Sequence, residues 1–307
     1  MSRRTLRRAA VVAACAAVVA GLALPASAAQ PDRANVNQRS QSVASVASVA
    51  TATASVIPAD CGVIFHRATA GALYYGTVVG GRAGAGTVGA LTFGSSTETP
   101  VAMAYVRTLS TAPQSEQYIA TLADGSLWEV LAPLASDAVT TRMISTGGWG
   151  AMRELVTGDS SYIYGLTTSG GLYRYTLSTG GVIRSAGSIA TGGWGGVRSL
   201  TWAGGGTFYG GKVDSLVALS ASGALMEYLI RTDTRAPRGF VLRSSGWGGF
   251  QRISVGACTK SSSRPISGVT PLGDLYAYLD TNGFNLTGSD IRGAGKVGHG
   301  FVGLLFD

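Results

Sequence analysis

A glycine-tryptophan motif recurs along this chain of 307 residues and constrains its fold more than any other feature. The sequence Gly-Gly-Trp-Gly occupies residues 147–150 and 192–195, and a shortened copy, Gly-Trp-Gly, occupies residues 246–248. An apolar residue follows each tryptophan after three positions, and another follows after six. A motif that returns with its apolar surroundings predicts one structural unit used several times.

A second phrase, consisting of glycine, any residue, leucine and a large side chain, occurs five times. Its leucines stand 54, 45, 53 and 50 residues apart. The intervals hold short runs of β-branched and aromatic residues broken by Gly, Ser, Thr, Asn and Asp, a pattern that favours strands. The repeat predicts an all-β protein, a five-bladed β-propeller with four-stranded antiparallel blades. The five leucines are Leu73, Leu127, Leu172, Leu225 and Leu275.

The two ends of the repeat region complement each other. The region begins at Cys61 with the second and third strands of a blade, and it ends at residues 298–304 with a first strand that has no continuation. We therefore expect the N- and C-terminal segments to pair in one blade, because such closure removes exposed sheet edges. The propeller is predicted over residues 61–307.

The first 60 residues differ in composition from the repeats. Residues 1–28 hold four arginines, an apolar run and Ala26-Ser27-Ala28, which together are typical of a secretory signal peptide. Residues 29–60 are rich in Ala, Ser and Val, and we interpret them as a flexible leader, with a short helix as the alternative. The chain is therefore predicted to be secreted through a Sec or a twin-arginine signal.

Charge and hydropathy limit the classes of partner. Without the four arginines of the signal segment, the formal charge of +8 falls to about +4, and no run rich in Lys or Arg remains. We therefore expect no nucleic-acid partner. No later stretch reaches the roughly 18 apolar residues of a membrane span, so we expect none. We also expect the protein to be a monomer.

Two cysteines follow the signal segment, Cys61 and Cys258. An exported protein occupies a compartment that permits disulfides, and we expect the two cysteines to pair. The alternative is two isolated buried thiols, since free cysteine behaves as a small apolar residue.

The residues around two of the tryptophans resemble a known family. Gly-Gly-Trp-x-x-apolar-x-x-Leu is followed by Tyr-Ile-Tyr-Gly-Leu at residues 162–166 and by Gly-Gly-Leu-Tyr-Arg-Tyr at residues 170–175. The series resembles the tachylectin family of five-bladed β-propeller lectins over about residues 61–307, and least in the first repeat, where Ala90 stands in place of the tryptophan. The resemblance implies a lectin that binds N-acetylated amino sugars, such as N-acetylglucosamine or N-acetylgalactosamine, between adjacent blades.

The residue types of the motif also point to sugar binding. An indole ring offers a flat apolar face to a sugar, and flanking glycines leave backbone N–H groups available to hydroxyl and acetamido oxygens. Polar side chains four residues after each tryptophan add donors at the same relative place. The alternatives are that each tryptophan packs one blade against the next and that the arginines are solvated. The predicted sugar-binding residues are Trp149, Trp194, Trp247, Gly148, Gly193, Gly246, Arg153, Arg198 and Gln251.

Other chemistries find less support in the sequence. Residues 84–89 and 293–298 match the pattern G-x-G-x-x-G, but neither opens a helix in a βαβ unit. The two histidines lack metal-ligand spacing, so we predict no metal and no cofactor. Glycoside hydrolysis needs two facing carboxylates, and the acidic residues show no pairing in the sequence. We predict a protein without enzymatic activity, with a protein-binding scaffold and a glycosidase as the alternatives.

Overall fold

The computed structural model describes residues 57–110, 113–158, 162–178 and 180–307. In these ranges the regular structure is entirely β, with 21 strands in five antiparallel sheets. The sheets are the blades of the predicted five-bladed propeller. No helix in the same ranges has the length and apolarity to cross a membrane. The predicted signal segment and residues 29–56 of the predicted leader lie outside the described residues.

Each blade runs from an inner to an outer strand. Blade 1 contains Cys61–Thr69 (β1), Ala72–Val79 (β2) and Arg82–Ala90 (β3), and blade 2 contains Ala102–Leu109 (β4), Ser115–Thr121 (β5), Leu127–Pro133 (β6) and Thr140–Ser145 (β7). Blade 3 contains Met152–Thr157 (β8), Tyr162–Thr167 (β9), Leu172–Leu177 (β10) and Ile183–Ala190 (β11). Blade 4 contains Val197–Phe208 (β12), Gly211–Ser220 (β13), Leu225–Arg231 (β14) and Pro237–Arg243 (β15). Blade 5 contains Arg252–Val255 (β16), Arg264–Val269 (β18), Leu275–Asp280 (β19) and Ile291–Gly298 (β20), while Ala257–Cys258 (β17) and Leu304–Phe306 (β21) join blade 1.

The glycine and leucine of the second phrase have separate structural tasks. The glycine precedes the third strand in every blade and takes a positive φ between 80° and 83°, a conformation that glycine adopts without steric cost. The leucine lies at the start of the third strand and has an exposed fraction of 0% in all five copies. The phrase therefore positions the turn and the core residue of each blade. The G-x-G-x-x-G segments lie inside the outer strands β3 and β20.

Strand β1 brings the two ends of the ring together. One edge of β1 pairs with β2, and the other pairs with β21 at residues 66–68 and with β17 at residues 61–62. The predicted closure in one blade is confirmed, although the C-terminal strand begins at Leu304 rather than near residue 298. Cys61 lies opposite Cys258 and forms the predicted disulfide with it.

The hydrophobic core is divided into five clusters, one at each interface between neighbouring blades. Each cluster contains a large apolar residue from the segment that follows an outer strand: Leu91, Trp149, Trp194, Trp247 or Phe301. Ile57 also belongs to the closing cluster, with an exposed fraction of 2%, so core packing starts before Cys61. Blade-to-blade contact therefore carries most of the apolar burial.

An ion pair crosses the middle of the ring. Glu154 on β8 and Arg252 on β16 belong to blades 3 and 5, which are not neighbours, and their side chains are 10% and 22% exposed. Ser199 of the intervening blade accepts a hydrogen bond from the Ile253 N–H at 3.2 Å. Polar contacts thus link three inner strands around the axis. A charge this far from solvent requires such compensation.

Candidate functional site in the glycine loops

Three equivalent loops join the outer strand of one blade to the inner strand of the next. They are residues 146–151, 191–196 and 244–249, hereafter the glycine loops. The glycine before each tryptophan has a positive φ: 91° at Gly148, 92° at Gly193 and 96° at Gly246. A Cβ atom added at any of the three would meet no heavy atom within 4 Å. The loops therefore present exposed backbone in one repeated conformation.

An equivalent backbone hydrogen bond anchors each loop to the turn before the third strand of the preceding blade. The tryptophan N–H donates to the carbonyl oxygen of the Gly-x-Leu glycine, at 3.0 Å for Trp149 and 3.1 Å for Trp194 and Trp247. The other two interfaces repeat the bond, from Leu91 to Gly71 at 3.0 Å and from Phe301 to Gly273 at 3.1 Å. Leu91 therefore holds the tryptophan position of the first repeat, which corrects the sequence-based assignment to Ala90.

The faces of the three indole rings are used in packing. Trp149, Trp194 and Trp247 are 8%, 6% and 5% exposed. Each packs on a tyrosine of the blade that follows its loop, with ring centroids 4.6 Å apart for Trp149 and Tyr175, 4.2 Å for Trp194 and Tyr228, and 4.4 Å for Trp247 and Tyr278. The ring faces thus pack between neighbouring blades, as the alternative interpretation of the tryptophans predicted. Sugar binding at these loops stays a prediction, and a sugar has no open indole face on which to stack.

The nitrogen edge of each ring differs from its faces. Among the described residues, none accepts a hydrogen bond from the indole N–H of Trp149, Trp194 or Trp247. The three nitrogens are also not among the fully buried atoms of these residues that lack a hydrogen-bond partner. Each N–H is therefore in contact with solvent. The three indole rings supply a repeated donor beside the exposed glycine backbone, although they do not supply an apolar platform.

The arginines that follow the tryptophans bind the next loop along the ring. Arg153 donates to the carbonyl oxygen of Trp194 at 2.9 Å, and burial lowers the pKa of its guanidinium. Arg198 donates to the carbonyl oxygens of Gly248 at 2.9 Å and Phe250 at 2.7 Å. These two side chains are half-buried and engaged with backbone, so they position a neighbouring glycine loop, whereas the alternative was that they extend freely into solvent.

The third copy departs from this arrangement. Gln251 is half-buried, and its backbone N–H donates to the carbonyl oxygen of Val269 at 2.8 Å. At the closing interface an arginine from another place in the sequence takes the clamping role, since Arg67 on β1 donates to the carbonyl oxygens of Gly300 and Val302, both at 3.1 Å. Sequence reasoning missed Arg67 because it does not follow a tryptophan.

Sequence reasoning also missed the three tyrosines beneath the indoles. A signal was present, since Tyr175, Tyr228 and Tyr278 each stand three residues after the leucine of a Gly-x-Leu phrase. Burial is the main cause that raises the pKa of each tyrosine hydroxyl. The hydroxyls therefore stay protonated at neutral pH. The residues of the glycine loops are uncharged too, so the charge close to these loops comes from the clamping arginines Arg153 and Arg198.

The corresponding loop at the closing interface carries charge. Gly300 has a φ of 90°, like the glycines of the other loops. His299 Nδ1 lies 2.5 Å from Asp274 Oδ1, and Lys296 Nζ lies 2.8 Å from the same oxygen. The hydrogen bond from Lys296, followed by that from His299, lowers the pKa of Asp274. This loop therefore differs from the neutral glycine loops in its chemistry.

A cavity of about 390 Å³ lies between blades 2 and 3. It contains one carboxylate, Glu129, which Arg142 contacts at 2.6 Å and to which Gln117 donates at 2.5 Å. Hydrolysis of a glycosidic bond needs a second carboxylate across the bond, and this cavity does not provide it. The cavity is lined by Leu109, Glu129, Leu131, Thr140, Thr141, Arg142 and Gly180.

Two other carboxylates do approach each other. Glu227 and Asp280 both bind Arg264, with Nη2 to Oε2 at 2.7 Å and Nε to Oδ2 at 2.8 Å. Their exposed fractions are 2% and 0%, so the cluster is closed to a substrate and stabilises the interface of blades 4 and 5. In the described part of the chain there is no group of three His, Cys, Asp or Glu side chains arranged to hold a metal.

No family model and no curated protein matches this chain. Solved structures show distant similarity. The BP39L lectin from Burkholderia pseudomallei is 16% identical, with a TM-score of 0.42 over 80% of this chain and 69% of its own. AofleA from Arthrobotrys oligospora is 13% identical, with a TM-score of 0.42 over 78% and 87% of the two chains. The Malassezia sympodialis allergen Mala s 1 is 8% identical, with a TM-score of 0.41 over 76% and 78%. Similarity at this level carries no inference about the site.

Proposed function

We propose that this chain is a secreted, multivalent carbohydrate-binding protein whose binding sites are the three glycine loops. The observation that carries the proposal is the repetition of one exposed, uncharged backbone surface at three blade interfaces. At each, a glycine with φ between 91° and 96° precedes a tryptophan whose indole N–H has no acceptor among the described residues. Such surfaces suit a ligand rich in hydroxyl and amide groups, because the loop residues offer hydrogen-bonding peptide groups and carry no charged side chain of their own.

An N-acetylated amino sugar is the ligand that best fits these loops. Its acetamido group has both an N–H and a carbonyl oxygen, so it complements a surface built from peptide groups and an indole N–H. The sugar ring binds edge-on to the loop in this arrangement, since the indole faces are packed on Tyr175, Tyr228 and Tyr278. Edge-on contact buries little apolar area, so each site is expected to be weak, with a Kd of about 0.1 to 1 mM.

Repetition around a rigid ring compensates for weak single sites. Several loops that engage one glycan-coated surface raise the overall affinity without any improvement of an individual site. The arginines support this role, because Arg153 and Arg198 hold the loops at residues 191–196 and 244–249 in place before a ligand arrives. A pre-organised loop spends less binding energy on ordering.

The proposal is tested by blocking the loops without straining them. Gly147 and Gly192 lie outside the left-handed region, and a Cβ atom at either meets nothing within 4 Å. Gly147→Val and Gly192→Val, combined with Ser245→Val at the equivalent third position, place a side chain over each loop. A glycan array and calorimetry with N-acetylglucosamine and N-acetylgalactosamine should show binding by the wild type and about tenfold weaker array binding by the triple variant.

Thr207→Val is the matched control, because it adds a valine at an exposed position on the far end of β12. It should leave glycan binding and the melting temperature unchanged. Array binding by the triple variant at the wild-type level would assign recognition to another surface. Release of reducing sugar from a bound glycan would instead favour the glycosidase, and silence of the wild type in both assays would favour the scaffold.

A further inference from the structure

The longest hairpin of the propeller ends in an exposed aromatic residue. Strands β12 and β13 contain 12 and 10 residues, whereas the strands of the other blades contain nine or fewer. Strand β12 begins beside a glycine loop at Val197 and ends at Phe208, so its tip lies at the opposite face of the ring. Tyr209 occupies that tip and is 53% exposed.

The backbone at this tip is unfavourable for tyrosine. Phe208 pairs with Gly211, which leaves Tyr209 and Gly210 as a two-residue turn with φ of 49° and 77°. A turn with two positive φ angles strongly prefers Asn-Gly or Asp-Gly, because a bulky side chain is strained in this region. Burial does not explain the choice of tyrosine, since half of the side chain faces solvent. A strained and exposed aromatic residue points to a role outside folding.

Cationic side chains surround the tyrosine. The Arg238 guanidinium lies 4.1 Å from the centroid of the Tyr209 ring, and the Phe240 ring is parallel to that ring within 3° at a centroid distance of 6.5 Å. Arg231 donates to the Tyr209 carbonyl oxygen at 3.3 Å. Lys212, the cross-strand partner of Thr207, and Arg235 are both exposed. Arg231, Arg238 and Phe240 contact Tyr209, Lys212 lies on the same hairpin, and Arg235 lies in the turn between β14 and β15, whose Thr232 N–H donates to the Lys212 carbonyl oxygen at 3.0 Å. We call these six residues, Tyr209, Lys212, Arg231, Arg235, Arg238 and Phe240, the basic hairpin surface.

The charge of this surface is largely uncompensated. The turn that joins β14 and β15 contains one carboxylate, Asp233. Both of its oxygens accept hydrogen bonds from Arg231, at 2.9 and 2.5 Å. Arg235 donates to a backbone carbonyl oxygen, that of Ala186, at 3.0 Å, so its charge is not neutralised. The positive charge of Arg238 therefore lies against the exposed aromatic ring, and those of Lys212 and Arg235 lie on the same hairpin and on the adjacent turn.

We propose that the basic hairpin surface binds an acidic polysaccharide, a function separate from the neutral sites of the glycine loops. Carboxylate or sulfate groups match the guanidinium forks of Arg235 and Arg238, and the ring of Tyr209 packs against the apolar face of one sugar unit. One exposed aromatic tip suits a sugar chain better than a nucleic-acid strand, which is usually held by several stacked rings. The surface lies on the face opposite the glycine loops, so the protein can hold a ligand at each of the two surfaces at the same time.

The test measures binding to polygalacturonate, dextran sulfate and neutral dextran over a series of salt concentrations. The wild type should bind at least one acidic polymer, lose affinity as salt rises and ignore neutral dextran. Arg235→Gln with Arg238→Gln should weaken binding about five- to tenfold and flatten the salt dependence. Arg82→Gln removes an exposed positive charge from blade 1 and should change neither property.

Tyr209→Asn separates binding from folding. Asparagine fits the turn better, so this variant should melt at or above the wild-type temperature while it binds the acidic polymer about fivefold more weakly. The proposal is overturned if the wild type binds neither acidic polymer, if the double arginine variant binds as the wild type does, or if Tyr209→Asn leaves the affinity intact. Tighter binding to single-stranded DNA than to both polymers would assign the surface to nucleic acid. None of these results depends on the glycine loops.

Discussion

The indole of Trp194 packs on the phenol ring of Tyr228 with 4.2 Å between the ring centroids, while its backbone N–H donates to the carbonyl oxygen of Gly170 at 3.1 Å. One residue thus combines core packing with the anchor of an exposed loop. Mutations of the Trp194 side chain therefore test core packing, and mutations of the arginines that bind the loop backbone test the position of the loops.

Trp194→Ala is expected to lower the free energy of unfolding by about 3 to 5 kcal/mol, because it leaves a cavity between blades 3 and 4. Trp194→Phe retains a ring over Tyr228 and should cost clearly less. Denaturant unfolding of both variants measures the difference. A loss below about 1 kcal/mol for the alanine variant would show that the ring is not a blade-packing residue.

Arg198→Met should loosen one glycine loop. The guanidinium donates to the carbonyl oxygens of Gly248, Phe250 and Ala221, and a methionine leaves all three without that donor. Hydrogen exchange should therefore accelerate in residues 244–249, with about 1 kcal/mol lost in local stability.

Arg153→Met is the reciprocal control for this experiment. Its guanidinium donates to the Trp194 carbonyl oxygen, so the variant should accelerate exchange in residues 191–196 and leave residues 244–249 as they are. If both variants loosened both loops equally, the arginines would act on overall stability and not on single loops.

Replacement of Cys61 and Cys258 by serine should lower the free energy of unfolding by about 3 to 5 kcal/mol, since the disulfide closes a loop across 197 residues of sequence. Chemical denaturation with and without reductant measures this effect, which should be absent from the double serine variant. Two alkylatable thiols in the denatured, unreduced protein would contradict the pairing.

The Asp274 cluster should make stability depend on acid pH. Hydrogen bonds from Lys296 and then His299 lower the pKa of this carboxyl in the folded protein. The unfolded chain binds the proton more readily, so the contribution is present above the unfolded pKa of about 3.9 and is lost as pH falls through the lower folded value. Asp274→Asn should therefore be less stable than the wild type near pH 6, and the difference should vanish at strongly acid pH.

Asp137→Asn is a suitable control for this pH profile, because Asp137 is an exposed residue of a loop in blade 2. Unfolding curves of the wild type and both variants between about pH 2 and pH 7 cover the titration range of a carboxyl group. A pH-independent difference between Asp274→Asn and the wild type would assign the effect to lost packing.

The fold could be derived from the chain because its information is local and repeated. Each Gly-x-Leu phrase specifies a turn and a buried leucine at the start of a third strand, and the five copies predict five blades. Complementary ends at β1 and β21 then leave one way to close the ring. The disulfide was predicted from the expected export of the chain and from the count of two cysteines after residue 28.

The roles of the site residues depended on contacts between distant segments. The sequence of an aromatic residue beside glycines does not show whether the face of its ring is buried or open to a ligand. The contacts of the indoles with Tyr175, Tyr228 and Tyr278 show that the ring faces are packed. The partners of Arg153 lie 41 or more residues away across a blade interface, apart from its bond to Thr167.

The sequence by itself therefore determined the secondary structure, the repeat and the closure, since turn geometry and alternating burial are properties of short segments. Only the tertiary structure decided which face of each ring meets solvent and which charges gather on one surface. Lys212 and Arg238 belong to different strands of blade 4, β13 and β15, and the fold of the blade places both strands at the end that carries Tyr209. The physical reason is that burial and electrostatic neighbourhood are set by packing between blades, which no short segment contains.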